Sequence, residues 1–185
     1  MTKAATMQIP PNGTERLMIR IMELEDAEEA RLLHNDDTTL SRLSDVSHVS
    51  QESQLAWLKA VSVSRGSRRY VARLKSNNSF AGVFRIDRID PWNRNALIGA
   101  DVVAELRGQG YATEMFRYFL GYLFDQCGFH RLALVTLETN TPAISLYRKL
   151  GFIEEGRERQ AIFRDGKFRD LIGMGLLADD WRAAQ

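Results

Sequence analysis

The sequence predicts an α/β domain on a mixed sheet, and three observations carry that prediction. Short apolar, strand-like segments alternate with helical ones along the chain. The hydrophobic period changes to that of a helix after Val103 and again after Asn140. Two hairpin signals, Asn77-Asn78 and Arg164-Asp165-Gly166-Lys167, each join a pair of strand-like runs.

Leu17 to Met22 reads as the first strand. Asp26 then offers an N-cap, with Glu29 three residues on completing a capping box, for a helix reaching about His34. Ser50 caps a second helix containing Leu55, Leu58 and Val61. Arg69 to Leu74 and Phe80 to Ile86 flank the Asn77-Asn78 turn, and Ala96 to Val103 is short enough for a central strand. Ala112, Met115, Phe116, Phe119, Leu120 and Leu123 then recur on one helical face, and Gly128 is placed to end that helix. Leu132 to Leu137 is a further strand. Thr141-Pro142 supplies an N-cap and a first-turn proline for a helix carrying Ala143, Leu146, Tyr147 and Leu150, closed by Gly151. Phe152 to Phe163 and Phe168 to Leu177 form the last hairpin. The expected result is a mostly antiparallel sheet of about seven strands flanked by four helices.

A chain of 185 residues, 44% hydrophobic and 26% charged, fits one compact domain with a sizeable core. Its net charge of +1 gives no field that favours nucleic acid or an anionic membrane. Cys127 is the only cysteine, so no internal disulfide is possible and a reducing compartment is expected. No run of about 18 apolar residues is present. Residues 1–13 are polar, contain Pro10-Pro11 and lack the apolar stretch of a signal peptide. They are expected to be a disordered lead-in to one domain over 14–185, in a cytoplasmic protein.

The informative stretch is Val102 to Thr113, where a strand enters a glycine-containing turn that runs straight into a helix. Consecutive backbone N–H groups and the positive end of the helix can hold a pyrophosphate there. Gly108 and Gly110 would let the backbone approach a ligand, with Arg107 as a cation at the rim. A P-loop does not fit, because no lysine follows Gly110. A dinucleotide fingerprint lacks its third glycine, and Glu138 lies 28 residues past Gly110, not about 20. A plain strand–turn–helix junction fits the same residues.

Two blocks together point further. Arg107-x-x-Gly110-x-Ala112 resembles the Q/R-x-x-G-x-G/A signature of the GNAT superfamily of N-acetyltransferases. Asn140-x-x-Ala143-x-x-Leu146-Tyr147-x-x-x-Gly151-Phe152 resembles that superfamily's second block. Thr14 to Leu17 with Glu25-Asp26, and Phe163 to Asp170 with Gly175-Leu-Leu, are similar to the opening and final hairpin of its RimJ/RimL-like branch.

The resemblance implies the GNAT fold, in which Ala96 to Val103 and Leu132 to Leu137 splay apart. It implies an enzyme that transfers an acetyl group from acetyl-CoA to a primary amine by direct attack in a ternary complex. The pantetheine arm would bond to the strand at Asp101, Val102 and Val103, as an added strand would. Arg107 and the N–H groups of Gly108, Gln109, Gly110, Tyr111, Ala112 and Thr113 would hold the pyrophosphate, and Asn140 would also contact the coenzyme. Tyr147 would stand near the thioester sulfur as proton donor to the leaving thiolate, with an ordinary phenol pKa near 10. As a core aromatic, Tyr147 would fit the same helical face.

The general base is less defined. The glutamate that several members carry early in the fourth strand is replaced here by Ala96-Leu97. Asp101 is the nearest carboxylate; it could equally face solvent or pair with an arginine, and a water chain could take the proton. His34, His48, His130 and Cys127 have no metal-ligand spacing, and Cys127 reads as a small buried residue.

By the same resemblance the acceptor pocket draws on Leu33 to Trp57 and Glu158 to Phe168. The acceptor is a small amine (amino sugar, polyamine or antibiotic-like), or else the N-terminal amine of a protein. Asp36, Asp37, Asp45 and Glu52 are candidates to attract it. A monomer or homodimer is expected. A non-catalytic acyl-CoA sensor would need neither Arg107 to Gly110 nor Tyr147.

Overall fold

The computed structural model describes residues 13–43 and 45–185, so the expectation for the N-terminal lead-in falls outside it except at Gly13. Seven strands form one sheet: β1 (Leu17–Ile21), β2 (Arg68–Leu74), β3 (Phe80–Asp90), β4 (Asn95–Val102), β5 (Arg131–Leu137), β6 (Ile153–Arg164) and β7 (Lys167–Leu177). Their spatial order is β1-β2-β3-β4-β5-β7-β6, and every pairing is antiparallel except β4 with β5. Among the described residues six α-helices accompany it: α1 (Ala27–Asn35), α2 (Asp37–Leu40), α3 (Gln51–Ser62), α4 (Tyr111–Gly121), α5 (Thr141–Lys149) and α6 (Ala178–Ala183). The two beyond the expected four, α2 and α6, are too short to show a period of 3.6.

The core lies between the sheet and α4. Phe84 and Ile86 on β3 point to that face, where the Phe84 ring stacks on Phe119 with centroids 3.9 Å apart and meets Phe116 edge-on at 5.3 Å. Met115, Phe116, Phe119 and Leu120 are buried as their spacing predicts. Beyond Gly121 the helix widens into a π turn over Tyr122–Gln126, closed by Cys127 N–H on the Tyr122 carbonyl at 3.0 Å. That turn buries Tyr122, Leu123 and Phe124 in succession. Gly128 follows with φ +70°.

Local signals are displaced in two places. The capping box sits one turn earlier than expected, around a 3₁₀ turn at Leu24–Asp26, with Glu23 as its N-cap and Asp26 reaching back to the Glu23 N–H. Glu29 pairs with Arg73 instead. In α5 the N-cap is Asn140, not Thr141. The Ser50 cap is as expected, its hydroxyl accepting from Ser53 N–H at 3.1 Å.

The opposite face of the sheet is unusually polar. Arg20, Arg69, Arg73, Arg85, Asp87 and Asp101 project from it beneath α1 and α3. Asp26, with no exposed surface, accepts from Arg20 Nη1 (2.7 Å) and Nη2 (2.8 Å) and from Arg73 Nη2 (3.1 Å). Burial alone would raise its carboxyl pKa, but these bonds and the Glu23 N–H outweigh it and hold the pKa below its ordinary value. A depressed carboxyl stabilises the fold above its unfolded pKa of 3.8, and that stability is lost as pH falls through the folded value.

Asp26→Asn should therefore cost about 3 kcal/mol in denaturant unfolding at pH 7, near the low end for a broken buried pair, since Glu25 and Glu29 still hold the two arginines. This cost should shrink as pH falls below 3.8 and vanish only once pH has passed through the lower folded value. A loss under about 0.5 kcal/mol, the size of an ordinary surface change, would show that the cluster is not a structural anchor.

Candidate active site

The cleft originates in a short pairing. β4 and β5 match only at Asn95 with Arg131, Ala96 with Leu132, and Leu97 with Ala133. β4 then stays with β3 as far as Val102, while β5 stays with β7 along its whole length. The two central strands therefore part, leaving an opening of about 330 Å³.

The turn at its mouth requires glycine. Gly108 (φ +74°) and Gly110 (φ +87°) hold left-handed backbone, and a Cβ at Gly108 would meet no protein atom within 4 Å. Conformation, not crowding by the protein, thus selects glycine there. Gly110 is the N-cap of α4, and its carbonyl accepts from Glu114 N–H at 3.0 Å. The amides ahead of Glu114 begin the helix without an acceptor one turn back. With the helix dipole they form a cradle suited to an anion such as a pyrophosphate.

Of the residues singled out from sequence, Arg107, Gly108, Gly110, Tyr111, Ala112 and Thr113 line this opening. So do Asp101, Val102, Asn140 and Tyr147. Val103 and Gln109 do not. The Val103 amide donates to Ala81 (3.1 Å), and its carbonyl accepts from Leu106 N–H (3.0 Å). Gln109 folds back, its side chain donating to the Glu105 carbonyl (2.7 Å) while its own carbonyl accepts from Arg16 (3.1 Å). Nor is Arg107 an unattached cation at the rim. Its Nε donates to the Val102 carbonyl (2.9 Å) and its Nη2 to Thr39 Oγ1 (2.6 Å), with Thr38 on Nη1, so it ties the cradle to α2.

Arg16, not anticipated, braces the cradle from outside. It is paired with Glu114 at 2.7 Å and lies 4.1 Å over the Tyr111 ring. Neither contact has a signal in sequence, because both partners are about a hundred residues away.

At the inner end stand Asp101, Arg85 and Tyr147. Arg85 Nη1 donates to Asp101 Oδ2 at 2.5 Å. Among the described residues Asp101 Oδ1 has no protein donor. Asp101 thus pairs with an arginine, one of the alternatives open from sequence, and still faces the opening. Tyr147 is 8% exposed and packs edge-on against Phe116 (5.4 Å) and Phe152 (6.0 Å), so it is both a core aromatic and part of the cleft wall. Burial pushes its phenol up to about 12, above the ordinary value of 10 expected for it; Arg85 opposes that rise and Asp101 adds to it.

Arg85 reaches Asp101 by crossing β4 at Gly99, its cross-strand partner. A Cβ on Gly99 would stand 2.6 Å from the Arg85 Cζ and Nη2 atoms. The glycine leaves a path for the guanidinium.

A second cleft, of about 470 Å³, lies under α1 and α3 and meets the first at Thr39, Leu43, Arg85 and Asp101. It draws on Leu33 to Trp57 as expected, but no residue of 158–168 lines it. The hairpin touches its edge through Arg164 Nη2, which donates to the Leu43 carbonyl at 2.7 Å. Of the four acids proposed to attract an amine, Asp45 alone lines it; Asp36 caps α2.

Comparison with known proteins agrees with this architecture. The acetyltransferase (GNAT) domain matches residues 16–153, and the chain belongs to that family. Such proteins use acetyl-CoA, so the fold and site define an acetyl-CoA-dependent N-acetyltransferase. A putative ribosomal N-acetyltransferase, YdaF of Bacillus subtilis, is 26% identical over 90% of this chain and 94% of its own. A spermidine N(1)-acetyltransferase of Escherichia coli is 29% identical over 64% of this chain and 63% of its own. The spermidine N-acetyltransferase of Vibrio cholerae, solved with CoA and spermine, superposes with a TM-score of 0.85 over 90% of this chain and 98% of its own, at 23% identity.

If Gly99 serves only to let Arg85 reach Asp101, Gly99→Ala and Arg85→Gln should each lower kcat/KM by about tenfold, roughly 1.4 kcal/mol of barrier. The double variant should be no worse than Arg85→Gln alone. Strictly additive losses would show that Gly99 matters for something other than the guanidinium.

Proposed function

We propose that the first cleft holds acetyl-CoA and the second brings the primary amine of a small molecule to it, within the class of amino sugars, polyamines and antibiotic-like amines. The observation that carries this reading is the meeting of the two clefts at Asp101 and Arg85, with Tyr147 on the wall of the first.

In this reading the amides of Gly108 and of Gly110 to Thr113 take the pyrophosphate, with Arg42, which also lines the cleft, as an added cation. The β4 edge at Val102 and the N-cap residue Asn140 hold the rest of the coenzyme. Asp101, through Oδ1 or an intervening water, accepts the proton that the substrate ammonium loses. The amine nitrogen then attacks the thioester carbonyl carbon; the C–N bond forms, the C–S bond breaks, and the sulfur leaves as thiolate. Tyr147 offers its phenolic O–H to that sulfur as a hydrogen-bond donor, and the second proton shed by the acylated nitrogen reaches the thiolate through solvent. With its pKa at about 12, the phenol remains neutral at any physiological pH, and transfer to a thiolate is uphill. Tyr147 then acts mainly by hydrogen-bonding the developing charge.

The protein N-terminal amine stands as the second reading, favoured by the similarity to YdaF along nearly the whole chain. We further infer one domain over 14–185, a monomer or homodimer and a cytoplasmic location. No helix among the described residues is long and apolar enough to cross a membrane.

Thiol release from acetyl-CoA across amino sugars, aminoglycosides, polyamines and peptides with free N-termini tests the function. Turnover confined to peptides would replace the first reading by the second.

Gly110→Asp should weaken acetyl-CoA binding at least about tenfold by calorimetry, because a carboxylate would stand at the anion cradle. Aspartate tolerates the left-handed backbone better than most residues, so circular dichroism should show an intact fold. Unchanged affinity would place the coenzyme elsewhere.

Tyr147→Phe should lower kcat about 100-fold, the low end for losing one hydrogen-bond donor to a developing charge, with little change in affinity for acetyl-CoA. In the parent enzyme the Tyr147 limb of the kcat/KM profile should lie near pH 12, since the neutral donor is present below its folded pKa and lost above it. A Tyr147-dependent fall centred at pH 10, or a loss under about threefold with chemistry rate-limiting, would return Tyr147 to a packing role.

A further inference from the structure

We propose that the second cleft selects an amine with one positive charge and an apolar or aromatic body, and discriminates against polyamines. The proposal rests on the acetyltransferase reading and narrows its acceptor.

The charge of the cleft is the first argument. Its lining contains two carboxylates, Asp45 and Asp101, and two guanidiniums, Arg69 and Arg85, with His34 beside them. Asp101 Oδ2 is held by Arg85. Asp45 accepts from Ser47 N–H at 2.9 Å. Asp87, behind the wall, is paired with Arg69 at 2.8 Å. The lining therefore carries no excess negative charge, and of its two carboxylates Asp101 alone reaches the junction with the first cleft, beside Arg85.

A polyamine brings at least two ammonium groups. One must reach the thioester and lose its proton near Asp101. The other must then lodge in the cleft, where it meets guanidiniums, and the one carboxylate there without a guanidinium partner, Asp45, is exposed to water and engaged by Ser47 N–H. Moving an ammonium out of water into such a site is strongly unfavourable. Outside the lining, the acids do not repair this: Asp36 is engaged by Thr38, Thr39 and Arg107, and Asp37 and Glu52 do not face the cleft.

The rest of the wall is mostly apolar, with Met22, Leu33, Leu43, Val49 and Val83 around Trp57, and its other polar groups, Thr39, Ser53 and Gln54, are uncharged. Trp57 is 40% exposed and presents a broad aromatic surface. The cation preference of its ring is already met by Arg69, whose Cζ lies 5.2 Å from the ring centroid. What this wall offers an incoming molecule is apolar contact.

The test uses the purified full chain with coenzyme A present, and measures binding of tryptamine, phenethylamine, spermidine and spermine by calorimetry. The same four amines are then assayed for acetyl transfer. The aromatic monoamines should bind at least about tenfold more tightly than either polyamine, the scale of a like-charge penalty at a partly desolvated site. Gln54→Glu, which places a carboxylate in the wall with almost no change of shape, should narrow that ratio at least about fivefold.

Equal or tighter binding of spermidine would overturn the proposal, as would failure of any amine to bind. A folded Gln54→Glu variant with an unchanged ratio would overturn the electrostatic basis. If the binding order holds but none of the four is acetylated, the selectivity of the cleft stands and the acetyl-transfer reading fails.

Discussion

The structure turns on how little of β4 pairs with β5. Three residue pairs join them at one end, and beyond Leu97 each strand follows its other neighbour. A parted sheet exposes backbone groups that a closed one would satisfy internally, and burying them unpaired is costly. The chain meets this at one point by folding Arg107 back onto the Val102 carbonyl. Elsewhere the opening is lined by the first turn of α4, the start of α5 and the inner ends of the parted strands. An extended ligand with an anionic head matches that set of groups: strand edge, then amide cradle.

The same sheet keeps two different faces. Phe84 and Ile86 pack into the aromatic layer under α4, while Val83, Arg85 and Asp87 alternate with them toward α1 and α3. Arg69 and Arg85 are direct cross-strand partners, an unfavourable placement by itself. Asp87 and Asp101 relieve it, one guanidinium each. Such pairs add little net stability compared with apolar packing, so their value is in placing charge. Arg85 and Asp101 sit where the two clefts meet, at the point where an amine and a thioester would come together.

Much of this was legible in the sequence because the signals are local. The helical stripe from Ala112 to Leu123, the turn residues of both hairpins and the Gly110 and Gly151 helix boundaries each depend on neighbours within a few residues. The two spaced blocks around Arg107 and Tyr147 marked residues that line the opening between β4 and β5. What stayed hidden depends on pairing across the sheet. Arg85 lies in an alternating Val-Phe-Arg-Ile-Asp run that reads equally as a solvated strand face. Its role emerges only once Gly99 and Asp101 are set opposite. Arg16, Thr38 and Thr39 likewise reach the cradle from distant elements. The one-turn shift of the capping box has a similar origin: Asp26 turned inward toward Arg20 and Arg73, which no spacing rule registers.

The most direct measurement is hydrogen exchange of backbone amides with and without acetyl-CoA. If the parted strands and the α4 turn are the coenzyme site, added protection will concentrate in residues 100–113 and around Asn140, while β1 and the β6–β7 hairpin remain unchanged. Demonstrated binding that leaves residues 100–113 unprotected, with slowing confined to other elements, would contradict it.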